Sequence, residues 1–285
     1  MTYQKEFTID ALVPQEMAIK AEKTGIEKAN FGALRLLALS ILAGAFIALG
    51  AIFATTVSTG GADLPFGIIK LLSGLAFSLG LILVVVAGAE LFTGNNLIIM
   101  AWAGGRISTR KLLRNWSIVY VGNFIGSIST ATLLFFSSQY TFANGAVGLT
   151  ALNIAATKLT FSFMEALVLG ILCNGLVCLA IWLVMSARST TDKILAVIFP
   201  ITAFVAAGFE HSIANMYFIP IGLFIKASAP NSFWQAIGKL PSDFSTLTWS
   251  NMIIDNLIPV TIGNIIGGTI LVGGFYWALF LTRRP

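Results

Sequence analysis

The stretch GFEHSIANM, residues 208–216, holds the only histidine of the 285-residue chain, with Glu210 beside His211 and Asn215 four residues on. It sits between two apolar runs, LAVIFPITAFVAA and YFIPIGLFI. An imidazole titrates near neutral pH, so it can donate, accept or switch charge. An ionisable residue at membrane depth marks a pathway by default; a neutral packed histidine bonded to a backbone carbonyl is the plain alternative. A second stretch, GAELFTGN at 88–95, shares Gly, Glu and Asn with GFEHSIAN at the first, third and eighth positions. There the chemistry falls to Thr93, whose hydroxyl suits either an anion or the cap of a half-helix. Glu90 and Glu210 read as acceptors for backbone N–H groups freed at a helix break, with the lining of a cation pore as their other reading.

These residues need elements that carry them to such depth. The chain is 57% hydrophobic and 10% charged, with mean hydropathy +0.89. Soluble domains carry roughly 25% charged residues, so this is an all-α integral membrane protein. Apolar blocks long enough to span occur at Phe31–Ala54, Leu64–Ala103, Trp116–Ser138, Phe161–Ala187, Lys193–Ile225 and Leu257–Leu281. Residues 1–30 are polar and do not resemble a cleaved signal. The formal charge of +5 is a topology signal rather than a nucleic-acid footprint. Lys5, Lys20, Lys23, Lys28 and Arg35, then Arg106, Arg110, Lys111 and Arg114, then Arg188 and Lys193, then Arg283 and Arg284 mark one side; Lys70, Lys158, Lys226 and Lys239 fall near the other. The positive-inside rule places both termini in the cytoplasm, and Trp102, Trp116, Trp182, Trp234, Trp249 and Trp277 fit interfacial belts.

Leu64–Ala103 is 40 residues, about 60 Å as a helix, yet the charge pattern allows it one crossing. Tilt and non-helical chain must absorb the surplus, and GAELFTGNN supplies that chain. Irregular backbone at membrane depth is tolerated only inside protein or along a watery cavity. GFEHSIAN repeats the device in the fifth block. A second pair of segments follows in the same order: NWSIVYVGNFIG at 115–126 and NLIPVTIGNIIG at 256–267 share Asn, Gly-Asn and Ile-Gly at equal spacing. Two matches in one order indicate a duplication of three-helix units, about 31–140 and 160–282. Three crossings being odd, the repeats are inverted, with broken second and fifth helices meeting near the midplane. The expectation is six transmembrane helices at 31–285 behind a cytoplasmic amphipathic segment at 1–30, its helix starting at Pro14 and stopping at Gly25. Residues 226–250 form a short interfacial outer element. Asn123 and Asn264 are placed to bond across helices to the broken backbone. Asn174 does the same or faces the pathway. Cys173 and Cys178 read as inert packing residues.

No enzyme is indicated. His211 lacks the company of a metal site, no P-loop or nucleophile elbow is present, and no cofactor is called for.

LPFGIIKLLSGLAFSLGLILVVVAGAELFTGN, GFEHSIANMYFIPIG and NLIPVTIGNIIGG resemble the signatures of the formate–nitrite transporter family, its bacterial formate channels in particular, and the resemblance runs from Pro14 to the last helix. It implies an aquaporin-like fold, a homopentamer in the bacterial cytoplasmic membrane surrounded by lipid, and one pore per subunit. By position it puts Thr93 and His211 at a central chamber lined also by Asn174 and Val177. It makes Phe77, Leu81, Leu91, Phe92 and Phe204 constrictions, Glu90–Gly94 a mobile loop, and Lys28 part of an N-terminal gate. The break departs from the family pattern, Glu-Leu-Phe-Thr-Gly-Asn standing where Asp and Ser-Thr are usual, but the threonine is kept. The implied function is pH-sensitive passage of formate and similar small monovalent anions. Nitrite or hydrosulfide is the alternative within the family. A neutral-solute channel for ammonia or water is disfavoured, since paired pore histidines and twin Asn-Pro-Ala turns are both missing.

Overall fold

The computed structural model describes residues 11–61 and 64–282; Lys5, Arg283 and Arg284, which enter the charge pattern, lie outside them. Among the described residues the chain is helical and has no strand. Helix α1 (Pro14–Ala29) is followed by α2 (Ala33–Ser58) and α3 (Phe66–Ala87). Gly88, at φ 83°, ends α3 in a left-handed turn that side-chain-bearing residues rarely adopt. Helix resumes as α4 (Phe92–Asn95), a 3₁₀ turn at Asn96–Ile98 and α5 (Ile99–Ala103). Then come α6 (Thr109–Phe136), a short α7 (Ala146–Thr157) and α8 (Phe163–Ser186). Helix α9 (Thr190–Ala206) and α10 (Ser212–Ser228) are separated by a second break, where Gly208 stands at φ 73°. Helix α11 (Asn231–Ile237) and a 3₁₀ turn at Pro241–Phe244 precede the last helical stretch. That stretch runs through α12 (Trp249–Asn251), α13 (Ile258–Ile266) and α14 (Phe275–Phe280), with π-helical turns at Met252–Leu257 and Gly267–Gly274.

Among the described residues five helical stretches are long and apolar enough to cross a membrane: Ala33–Ser58, Phe66–Ala87, Thr109–Phe136, Phe163–Ser186 and Pro241–Phe280. The count becomes six if α10 and α11, bent by 112°, are taken as one. Lipid tails offer no hydrophobic drive between helices, so close backbone approach has to hold the bundle. Glycine provides it twice over. A Cβ on Gly126 of α6 would overlap the Ile41 carbonyl of α2, and one on Gly267 would overlap the Ile171 carbonyl of α8.

Three local readings differ from expectation. The first helix passes Gly25 and ends at Ala29, because Gly25 is a contact rather than a stop: a Cβ there would lie 3.1 Å from the Ala101 Cβ. Buried Met17, Ala18 and Ala21 hold α1 against Met100 and Trp182. Helix α7 lies in what reads as a connection, and the outer segment packs onto it: Phe233 meets Gly148 and stands edge-on to Tyr140 at 5.1 Å. Trp234 is therefore buried, as is Trp182, stacked 3.9 Å from Tyr276, so both rings pack inside the protein rather than on its surface. Gly126→Ala should force α6 off α2 and cost about 1–3 kcal/mol, the usual penalty of overpacking; a thermal melt of the purified protein in mild detergent measures it, and an unchanged midpoint would mean that this approach is not under constraint.

Candidate functional site

A helix break at membrane depth frees backbone groups that water cannot satisfy. At the first break the Phe92 N–H donates to Asn123 Oδ1 at 2.9 Å, while Asn123 Nδ2 donates to the carbonyls of Ser40 (2.8 Å) and Glu90 (2.9 Å). At the second, the Ser212 N–H donates to Asn264 Oδ1 at 2.9 Å, and Asn264 Nδ2 to the carbonyls of Gly170 (2.8 Å) and Glu210 (3.0 Å). Each asparagine thus ties two helices and a break together with one fully buried amide.

The glutamates do not serve the freed N–H groups, contrary to the sequence reading. Each is held instead in a knot of one lysine and two amides. Lys28 Nζ lies 3.1 Å from Glu90 Oε1 and donates to Asn95 Oδ1 at 2.9 Å. Asn95 Nδ2 donates to Glu90 Oε2 (2.8 Å) and Asn115 Oδ1 (3.0 Å), and Asn115 Nδ2 returns to the Lys28 carbonyl (3.1 Å). In the second knot Lys158 Nζ donates to Glu210 Oε1 at 2.8 Å. Asn215 Nδ2 donates to Glu210 Oε2 (2.6 Å) and Asn256 Oδ1 (2.7 Å), and Asn256 Nδ2 to the Lys158 carbonyl (2.8 Å). A buried charge is tolerable only when paired and hydrogen-bonded, which both knots achieve. They differ in two contacts: Lys28 reaches Asn95 Oδ1, whereas Asn215 Oδ1 is buried without a partner, and Asn256 Nδ2 also donates to Glu210 Oε2 at 3.2 Å, a bond Asn115 does not make to Glu90.

The two breaks meet at Thr93 and His211. His211 precedes the first turn of α10, and its Nδ1 accepts the Ala214 N–H at 3.0 Å. A nitrogen that accepts carries no proton, so in the neutral ring the proton is on Nε2. Nε2 lies 2.9 Å from Thr93 Oγ1, and Thr93 receives that hydrogen. Thr93 is fully buried and His211 is 3% exposed. Behind them Asn174 Nδ2 reaches the Thr93 carbonyl (3.3 Å), Asn96 Oδ1 (2.7 Å) and the Asn264 carbonyl (2.6 Å), and the Cys178 thiol points at the Thr93 carbonyl at 3.4 Å.

A vestibule of about 540 Å³ runs down to this place, walled by Lys70, Lys158, Phe77, Phe204, Glu210 and His211 among others. Phe204 stacks on the His211 ring at 5.9 Å and meets Phe77 edge-on at 5.7 Å, so two of the expected constriction residues adjoin the histidine. Thr93, Asn174, Val177, Leu81, Leu91 and Phe92 are buried and do not line the vestibule. Phe92 packs edge-on to Tyr120 (4.9 Å) and Trp116 (6.2 Å) of α6. Sequence reasoning missed Lys158, Asn95, Asn115 and Asn256. The signals were there: Asn115 and Asn256 open the two matched segments, Asn95 closes GAELFTGN, and Lys158 stands three residues before Phe161 as Lys28 does before Phe31.

The sequence profile described as formate/nitrite transporter matches residues 15–278. The chain belongs to the formate/nitrite transporter family. It is 49% identical to the formate channel FocA of Escherichia coli (strain K12) over 275 residues, 96% of either chain. It is 46% identical to the formate channel FocA of Haemophilus influenzae over 265 residues, 93% of either chain. The fold is similar to that of a solved pentameric formate channel with formate bound, with TM-score 0.84, 48% identity, and 87% of this chain and 98% of that one covered. As a member of this family the chain is a multi-pass membrane transport protein.

The asparagine ties should be worth a measurable share of stability. Asn264→Ala leaves the Ser212 N–H and the Gly170 and Glu210 carbonyls without their amide partner, at a cost of about 2–3 kcal/mol. Asn123→Ala should cost about the same. Denaturation in detergent tests the pair, and wild-type stability in either variant would show that something else holds that break.

Proposed function

We propose that this protein is a pH-sensitive channel for formate and similar small monovalent anions in the bacterial cytoplasmic membrane. In this reading it is a homopentamer with one pore per subunit, each built of six spans in two inverted repeats with both termini cytoplasmic. Its family membership and its likeness to formate channels support the substrate class. The observation that carries the mechanism is the Thr93–His211 hydrogen bond at the end of the vestibule.

A bare formate ion entering an apolar constriction loses its hydration, a large penalty unless donors replace the water. Thr93 accepts from His211 Nε2 and so keeps its own hydroxyl hydrogen for an anion. The half-helices that begin at Phe92 and Ser212 point positive ends at the same place. Phe77, Leu81, Leu91, Phe92 and Phe204 are the apolar constrictions that flank this centre, with Asn174 and Val177 completing its wall. Neutral formic acid crosses such a constriction at far lower cost than formate.

Acid sensitivity follows from the ring. The proton on Nε2 can pass through the Thr93 hydroxyl to formate only if Nδ1 takes one up from the vestibule side, and Nδ1 must then release the Ala214 N–H. Proton delivery and loss of the α10 cap are therefore coupled. Glu90, Glu210, Asn215 and Lys28 hold the breaks still while this happens, and the contact of Lys28 with the first break gives residues 1–30 a route to gate it.

Flux of formate, nitrite and hydrosulfide in proteoliposomes tests the substrate. Formate is expected to lead, and nitrite outrunning it would overturn the choice. Thr93→Ala should lower formate flux roughly three- to tenfold, the size of one neutral hydrogen bond in the barrier, without disturbing assembly; unchanged flux would reduce Thr93 to a packing residue. His211→Asn can still cap Ala214 but cannot carry a proton. Acid-stimulated uptake of formate should disappear in that variant, and a wild-type pH profile would sink the proton route.

A further inference from the structure

The vestibule wall is rich in hydroxyls, which at first sight suit an anion. Their hydrogens are committed elsewhere. Ser58 Oγ donates to the Ala54 carbonyl (2.7 Å), Ser73 to Ile69 (2.6 Å), Thr150 to Ala146 (2.9 Å) and Thr157 to Asn153 (2.8 Å). A hydroxyl has one hydrogen, so these four turn lone pairs toward the cavity. Ser58 and Ser73 also face each other at 2.7 Å, and whichever of the two donates there, the hydrogen stays within the wall. A surface of lone pairs repels an anion. The exposed Asn153 amide in the wall offers only a neutral dipole, so long-range attraction has to come from the cations.

There are two in the wall, and they are not equivalent. Lys158 is ion-paired with Glu210 at 2.8 Å, so its charge is largely cancelled at the distance of an approaching ion. Lys70 has no ion pair among the described residues; its Nζ lies 5.5 Å from the Phe66 ring centroid, and the side chain is half-buried beside the cavity. Asp63, seven residues earlier, lies outside the described residues. The described wall thus carries one net positive charge, and such a charge in a low-dielectric cleft focuses its field down the cleft and raises the local concentration of small anions.

We infer that Lys70 is the anion-capturing residue of this vestibule, the source of the net positive potential that draws a small monovalent anion past a lone-pair wall toward His211. The inference deepens the functional reading above and rests on the vestibule being a route for such anions. It assigns a capture role to a residue that touches neither break nor the Thr93–His211 centre.

Two measurements test it. In proteoliposomes at low formate and low ionic strength, Lys70→Gln should lower the initial flux by about three- to tenfold and flatten its decline with added salt, because the steering field is gone. Lys70→Arg should restore both. Wild-type flux and salt dependence in Lys70→Gln would overturn the inference. The second measurement does not depend on which anion is carried. Thr150→Cys places a thiol in the vestibule, while native Cys173 and Cys178 are fully buried. Rates of modification by an anionic methanethiosulfonate sulfonate reagent and a cationic trimethylammonium analogue give a ratio that reports the local potential. Adding Lys70→Gln should lower the anionic-to-cationic ratio by about three- to tenfold; an unchanged ratio would overturn the inference even if flux fell. Wild-type protein that passes no formate would overturn the functional reading instead, and the ratio would still judge Lys70.

Discussion

Everything in this molecule depends on satisfying backbone hydrogen-bonding groups where two helices are interrupted without water at hand. An unmet buried N–H or C=O costs on the order of 1–3 kcal/mol, and each break exposes several. Asn123 and Asn264 answer this with one amide each, and a lysine–glutamate pair locked by two further asparagines fixes the chain on the approach to each break. The charges in those knots are not there for net stability, since a buried pair often does no better than apolar packing. They set geometry. A chain anchored at Glu90 and Glu210 has little freedom in where it delivers Thr93 and His211.

The same demand decides the chemistry of the histidine. Ala214 needs an acceptor, His211 Nδ1 supplies it, and the proton of the neutral ring is thereby assigned to Nε2 and aimed at Thr93. A helix cap and a hydrogen-bond donor are two ends of one imidazole. Beside it the rings of Phe204 and Phe77 put an apolar surface against the imidazole, which strengthens the dipoles there relative to open water. In the role proposed for Lys70 the vestibule works by the opposite means: it is roomy, and long-range charge rather than close contact would order what happens there.

Much of this was legible in the chain. The paired octapeptides marked both breaks, the surplus length of Leu64–Ala103 required one of them, and the equal spacing of Asn115–Asn123 and Asn256–Asn264 pointed to the amides that hold them. What stayed hidden has physical causes. Lys158 meets Glu210 across 52 residues, a pairing that no local pattern encodes, and it made the glutamates look like caps when they are ion-paired. Gly25 reads as a helix stop, since close approach to Ala101 and a C-terminal turn leave the same residue in the sequence. Helix α7 has 12 residues and too little length to register as a span, so the burial of Trp234 and Phe233 near it could not be foreseen. Nor does the sequence show which hydroxyls share the vestibule wall, or that each bonds a carbonyl of its own helix.

Because the chain contains one histidine, labelling histidine with ¹⁵N puts a single imidazole in the spectrum of the membrane-embedded protein. The shifts of its two nitrogens distinguish the tautomers directly. The account predicts an unprotonated Nδ1 and a protonated Nε2 at neutral pH, with the Nδ1 resonance changing when Ala214 loses its bond on acidification. A proton on Nδ1 at neutral pH would contradict it, for the ring could then neither cap α10 nor direct its hydrogen at Thr93.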